Sequence, residues 1–207
     1  MRIVKASFEI IAATDLLEQV IEVAGRTCYK SEDKICEGSA DAFVSKIRSI
    51  NHESVLEHGA ITVRFVVDRG VSHELVRHRI ASFSQESTRY CNYAKDKFGE
   101  EITVVDAHPH IEGASYRTWE EACKDAERSY FALLEEGVRP QLARDVLPNS
   151  LKTEIVMTTN PREWRHVFKL RCAEAAHPQM REVMIPCRNE FAARWPALFA
   201  DLMESAR

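Results

Sequence analysis

From Ala60 to Asp68 the sequence AITVRFVVD sets Ile61, Val63, Phe65 and Val67 against intervening positions of lower burial tendency. A period of two puts these four side chains on one face of a strand, and that face has to be covered. Residues 151–159 repeat the device with Leu151, Thr153, Ile155 and Met157. Short strands are also expected at residues 2–10 and in EITVV, which begins at Glu101. The remaining apolar periodicity is helical. Asp15 is placed to cap a helix running to Tyr29, with Leu17, Val20, Ile21 and Ala24 on its inner stripe. Phe43, Ile47 and Ile50 align in a second helix over 40–50. A third, from Thr118 to Glu136, repeats Trp119, Ala122, Ala126, Tyr130 and Leu133, and Gly137 is placed to end it. Pro140 opens a compact helix that Pro148 stops. Asn160–Pro161 turns into a helix through Arg171, and a last helix runs from Gln179 almost to the end, with a kink expected at Pro186. The fold class expected is α/β (α+β): a single domain over 1–207, with a small, mostly antiparallel sheet surrounded by helices.

Charge narrows the choice of partner. With 28 Lys and Arg against 32 Asp and Glu, the net charge is −4, which argues against a general nucleic-acid binder. No window is long and apolar enough to span a bilayer, and the charged N-terminus does not read as a secretory signal. The six cysteines are scattered without a C-x-x-C pair, so neither a zinc site nor a disulfide framework is expected, and a cytoplasmic setting is.

Against that background, RHRIASFSQESTRY (Arg77 to Tyr90) is a local concentration of cations and donors. GVSHELVRHR, from Gly70, reads as a short helix with Val71, Leu75 and His78 on one face. The triplet Arg77, His78 and Arg79 would then end it, where the helix dipole favours cations. A helix end does not account for the hydroxyls, amide and further arginine that follow, namely Ser82, Ser84, Gln85, Ser87, Thr88 and Arg89. Such a loop suits a phosphate ester or an anionic cofactor. Elsewhere, a surface ion pair with Asp145 or Glu135 is the ordinary account of Arg144, and Arg171 is a cation at a helix end. His52 and His58 lack a third ligand, so no metal is expected. Ser87 with His78 as base would make a nucleophile, but no strained G-x-S-x-G elbow supports it.

Taken together and in order, these motifs resemble the flavin-dependent thymidylate synthases. Arg77-His78-Arg79, seven residues, then Ser87, continuing to Arg89-Tyr90, is similar to the family's signature. HES-x-x-EH (His52 to His58) precedes it, ARDVLP (Ala143 to Pro148) follows, and Asn160, Arg162, His166 and Leu170-Arg171 match the C-terminal segment. The resemblance implies reductive methylation of dUMP to dTMP. Methylenetetrahydrofolate would give the carbon, NADPH the reducing equivalents, and FAD would carry the hydride, in a homotetramer with shared active sites. It implies no cysteine nucleophile. It assigns His52, Ser54, Arg77, His78, Arg79, Gln85, Asn160, Arg162 and His166 to FAD. To dUMP it assigns Glu74, Arg77, Gln85, Glu86, Ser87, Thr88, Arg89, Arg144 and Arg171. By the same resemblance Arg171 would be the catalytic residue, stabilising negative charge on the pyrimidine. Glu74 stands where many members carry Gln, and a carboxylate near a phosphate needs a cation beside it. His177 receives no role. The alternatives that stay open are a non-catalytic nucleotide- or phosphate-binding module and a Ser87-dependent hydrolase.

Overall fold

A computed structural model describes residues 1–89, 93 and 99–204. Tyr90, the last residue of the expected motif, lies outside the described residues. The strands are β1 (Arg2–Val4), β2 (Ser7–Ala13), β3 (Ile61–Asp68), β4 (Ser82–Gln85), β5 (Thr103–Val105) and β6 (Lys152–Thr159). The helices are α1 (Leu17–Tyr29), α2 (Ser39–Ser49), α3 (Arg69–Leu75), α4 (Gly113–Glu135), α5 (Pro140–Ala143), α6 (Pro161–Arg171), α7 (Pro178–Arg194), α8 (Pro196–Phe199) and α9 (Asp201–Glu204). They assemble into two compact units, each built from three separate stretches of chain: 1–7, 65–77 and 84–156 in one, 8–64, 78–83 and 157–207 in the other. Neither is a contiguous segment, so the chain does not divide into sequential domains.

In the first unit β1 pairs in parallel with β5, Arg2 opposite Thr103 and Val4 opposite Val105. The segment 2–10, expected to form one strand, is therefore two, because Lys5 and Ala6 interrupt it. Ile102, Val104, Cys123, Tyr130, Ala143 and Leu151 form the core, with α4 covering it. Asp68 caps α3, its Oδ1 accepting the Val71 N–H at 2.7 Å. Helix α3 stops at Leu75, so Arg77 lies beyond the helix end rather than within its last turn. Helix α4 begins at Gly113, five residues before the expected start, and Gly137 follows its end with φ +84°, as a terminating glycine should.

The second unit holds most of β2, the first half of β3 and the end of β6, in a small antiparallel sheet of order β2–β3–β6–β4. The Thr62 and Thr158 hydroxyls meet at 2.9 Å on β3 and β6. Its core is aromatic. Trp164 and Phe168 of α6 pack with Phe191 of α7 and Phe199 of α8, ring centroids 5.0–6.1 Å apart. The buried Trp164 indole donates to the Ile61 carbonyl at 3.1 Å. Helices α1 and α2 approach closely at Gly25, where an added Cβ would stand 2.5 Å from the Phe43 ring. Three expectations change here. Asp15 does not cap α1; Leu16, in left-handed backbone at φ 52°, precedes it without any side-chain cap. Val20 and Ile50, expected on inner stripes, are exposed. The final helix is three pieces, because Trp195–Pro196 ends α7 while the chain runs helically through Pro186.

Candidate active site

The second unit carries His52, Ser54, His78, Arg79, Asn160, Arg162, His166 and Arg171 of the expected site. Asn160 is the N-cap of α6, its Oδ1 accepting the Glu163 N–H at 2.9 Å. Capping starts the helix so that Glu163, only 9% exposed, and His166 stand three residues apart. Glu163 then meets the buried His78, Oε1 to Nδ1 at 3.1 Å. The other ring nitrogen, Nε2, receives the Arg171 Nε–H at 3.0 Å. A guanidinium can only donate, so Nε2 must be the acceptor and the ring proton must sit on Nδ1, donated to Glu163. Burial pushes the His78 imidazole below its ordinary pKa of 6.5; Glu163 opposes this, while Arg171 and His166 add to it. The ring is thus neutral at pH 7 with both nitrogens committed, and it has no lone pair left to serve as a base for Ser87.

His166 lies edge-on to His78, centroids 5.6 Å apart. Ligand atoms of His78, Glu163 and His166 fall within 4.8 Å of one another, a spacing a metal ion could use. The arginine bonded to the same imidazole disfavours a cation there. Asn160, Arg162 and His166 line one cavity of about 390 Å³ together with Ile80, Arg165 and Lys169. Arg162 is paired with Glu53 and Glu57, which line the same cavity. Ile80 is 68% exposed, an apolar side chain left uncovered beside cations, and sequence reading missed it. Arg165, buried in the same wall, is held by both Asp201 oxygens at 2.7 Å, which makes it a structural cation. His52 is exposed, its Nδ1 2.5 Å from the Tyr29 hydroxyl with the two rings stacked. Ser54 lies exposed in the 3₁₀ turn Glu53–Glu57, and Arg79 is exposed after the buried His78.

The first unit carries Glu74, Arg77, Gln85, Glu86, Ser87, Thr88, Arg89 and Arg144. Gln85 ends β4 with its Nε2 donating to Ser72 Oγ at 2.9 Å and Thr153 Oγ1 at 3.2 Å. Because the Ser72 hydroxyl donates to the Arg69 carbonyl, it must accept from Gln85, which fixes the amide orientation. Ser72 and Thr153 are therefore supports that no motif signals. Glu86 has its carboxylate on Lys152 at 3.0 Å and its N–H on the Glu154 carbonyl at 2.8 Å. Burial draws the Lys152 pKa down, but Glu154 and Glu86 outweigh it and raise it overall. Ser87 Oγ accepts the Arg89 N–H at 3.3 Å in a tight turn. The buried Thr88 hydroxyl takes a hydrogen bond from Arg144 at 3.0 Å, so Arg144 points to the motif turn and not to Asp145 or Glu135. Arg144 belongs to a 3₁₀ turn that continues α5, and this turn is what presents it. Glu74 is half-buried on α3, and Arg77 is exposed.

Comparison with known proteins decides the family. Residues 9–197 match the family model described as thymidylate synthase complementing protein. A flavin-dependent thymidylate synthase of Geobacter sulfurreducens is 36% identical over 191 residues, 89% of this chain and 81% of that protein. One from Mycobacterium tuberculosis is 35% identical over 195 residues, covering 88% and 78%. The chain belongs to the flavin-dependent thymidylate synthase family. A crystal structure of a UMP/dUMP methylase, PolB from Streptomyces cacaoi bound with 5-Br dUMP, shares the fold with a TM-score of 0.79 at 23% identity, covering 100% of this chain and 98% of that one.

Within the family signature, the residue before and the residue after the chain's passage between units differ in kind. Arg77 is exposed in the first unit and His78 buried in the second. His177, to which the sequence assigned nothing, caps α7 with its Nδ1 accepting the Gln179 N–H at 3.3 Å.

Proposed function

We propose that this chain catalyses the reductive methylation of dUMP to dTMP, with methylenetetrahydrofolate as one-carbon donor, NADPH as reductant and FAD as cofactor. It works as one catalytic domain, 1–207, in a cytoplasmic homotetramer whose active sites are shared between subunits. In its favour stands, above all, the anchoring of Arg171 through Nε by a buried neutral imidazole, in a chain whose relatives carry this activity by name. A guanidinium stays protonated at every working pH, so a fixed positive charge is available where the pyrimidine gathers negative charge. Among the described residues no helix is long and apolar enough to cross a membrane.

The donor set suits FAD. The cavity is also lined by Glu53, Glu57 and Glu163, the first two paired with Arg162 and the third with His78, so Lys169 and His166 offer the donors to a pyrophosphate, and the exposed Ile80 offers an apolar face to a flat ring. His52, Ser54, Arg77, His78, Arg79, Gln85 and Asn160 complete the contacts. FAD, when bound, supplies the hydride transfer that no side chain can perform. The chain's own residues bind and orient. Ser87, Thr88, Arg89 and Arg144 hold the dUMP phosphate, Gln85 keeps its carbonyl oxygen aimed by Ser72 and Thr153, and Arg171 polarises the base. Glu86 stands at the start of the same turn, its carboxylate held by Lys152 and its N–H by the Glu154 carbonyl. Glu74 contributes from α3 beside the same nucleotide. The experiment is a visible absorption spectrum of purified protein titrated with FAD and then dUMP. A bound-flavin spectrum that dUMP perturbs is expected; protein that takes up no flavin would contradict the proposal.

A further inference from the structure

Glu163 lies outside every motif, yet it is a nearly buried carboxylate at the head of α6. Burying a carboxylate costs several kcal/mol unless it is hydrogen-bonded, so its partners are informative. It faces the His78 Nδ1 at 3.1 Å, and the opposite edge of that ring faces the Arg171 Nε at 3.0 Å. The three groups form one line: carboxylate, Nδ1–H, ring, Nε2, H–Nε. Only one tautomer fits both ends. With the proton on Nε2 instead, two N–H groups would oppose each other at the arginine and a carboxylate would face a lone pair. Asn160, by capping α6 at the Glu163 N–H, sets the carboxylate's position in turn.

We propose that Glu163 is a positioning residue that acts on Arg171 through His78: its carboxylate holds the imidazole in the Nδ1–H form, so that Nε2 accepts the arginine Nε–H and fixes the guanidinium plane. The consequence for turnover rests on the function proposed above; the relay itself does not. A guanidinium gripped at Nε loses rotation about its last side-chain bonds, and a charge that is to stabilise a transition state is most effective when held in advance. For metal-bound histidines, outer partners that fix the tautomer in this way alter metal affinity or activity about 10–100-fold when removed, and the same scale is taken for Glu163.

The test is long-range ¹H–¹⁵N NMR of the histidine ring nitrogens, with His78 assigned from a His78→Gln spectrum, in wild type, Glu163→Gln and Glu163→Ala. Wild type is expected to show a protonated Nδ1 and an unprotonated Nε2. Glu163→Gln keeps that pattern, because the amide can turn its oxygen to Nδ1, and it retains turnover within about 3-fold. Glu163→Ala shifts the population toward Nε2–H and lowers kcat about 10-fold or more, while the FAD affinity and the KM for dUMP move less. A wild-type ring protonated on Nε2, or an Ala variant with an unaltered tautomer, overturns the relay. Equal losses in the Gln and Ala variants also overturn it, since shape alone would then explain both. The tautomer is read without substrate, so it decides the relay even if wild type proved unable to methylate dUMP, a result that would count against the proposed function alone.

Discussion

The two clusters of expected site residues, one in each unit, solve the same problem, holding cations and donors in place, by opposite means. Around His78 the solution is burial. A carboxylate, an imidazole and a guanidinium are aligned so that each has one permitted hydrogen-bonding role, and the ring is kept neutral. Around Ser87 the solution is a surface turn. Its hydroxyls are held by a short-range bond from the Arg89 N–H to Ser87 and a long-range one from Arg144 to Thr88, and its flank is pinned by Lys152 between Glu86 and Glu154. A buried line of hydrogen bonds fixes orientation and protonation, at the expense of tolerating few substitutions. A partly exposed turn adapts and gives way in small steps. Changes in the first region should therefore reach kcat, and changes in the second should reach the KM for dUMP.

The largest break is expected from Arg171→Ala. It should retain FAD yet lose about 10²–10³ in kcat, the scale for removing a preorganised charge-stabilising donor. Flavin titration beside steady-state kinetics checks it, and an equal loss of flavin would reassign the residue to the cofactor. Next comes Arg144→Ala, which should raise the KM for dUMP about 10–150-fold, the equivalent of about 1.5–3 kcal/mol for a hydrogen bond to a charged group, with kcat nearly kept. Ser87→Ala should follow the same pattern more weakly. A Ser87→Ala variant without any turnover, its dUMP binding intact, would bring back the nucleophile that the occupied His78 nitrogens argue against.

The smallest effect sharpens the comparison through pH. His78 has a pKa depressed below 6.5 in the folded state, so the unfolded chain takes up the proton first as pH falls. Its contribution to stability is complete above 6.5 and is lost progressively below it, down to the depressed folded value. Thermal melts from pH 7.5 to 5.5 should show a decline that His78→Gln reduces. A decline of the same size in the variant would place its cause elsewhere.

Much of the fold could be read because it obeys local rules. The alternation at Ile61–Val67 gave a strand with its face fully buried, and Asn160–Pro161 opened α6 at the expected residue. The expected end of α6 at Arg171 also holds. The failures are tertiary. Nothing local tells that residues 2–10 must split so that Arg2–Val4 can pair with Thr103–Val105. Nor does Asp15 reveal that Leu16 will enter a left-handed conformation and leave it no capping role. In the site, residues with motif spacing were recognisable, whereas their supports were not. Glu163 is 85 positions from His78, Thr153 is 68 from Gln85, and Thr88 is 56 from Arg144. Such partners carry no periodic signal, because only folding makes them neighbours. Ile80 was hidden for another reason: a single apolar residue in a polar loop has no pattern, and only its 68% exposure marks it.

The central claim is tested most directly by incubating the purified protein with FAD, NADPH, methylenetetrahydrofolate and dUMP and following dTMP by chromatography, with each component omitted in turn. The account predicts dTMP formation that requires NADPH and the folate and is abolished when FAD is stripped, then restored when it is returned. Formation of dTMP that persists in flavin-free protein, or no dTMP from flavin-loaded protein, would contradict it.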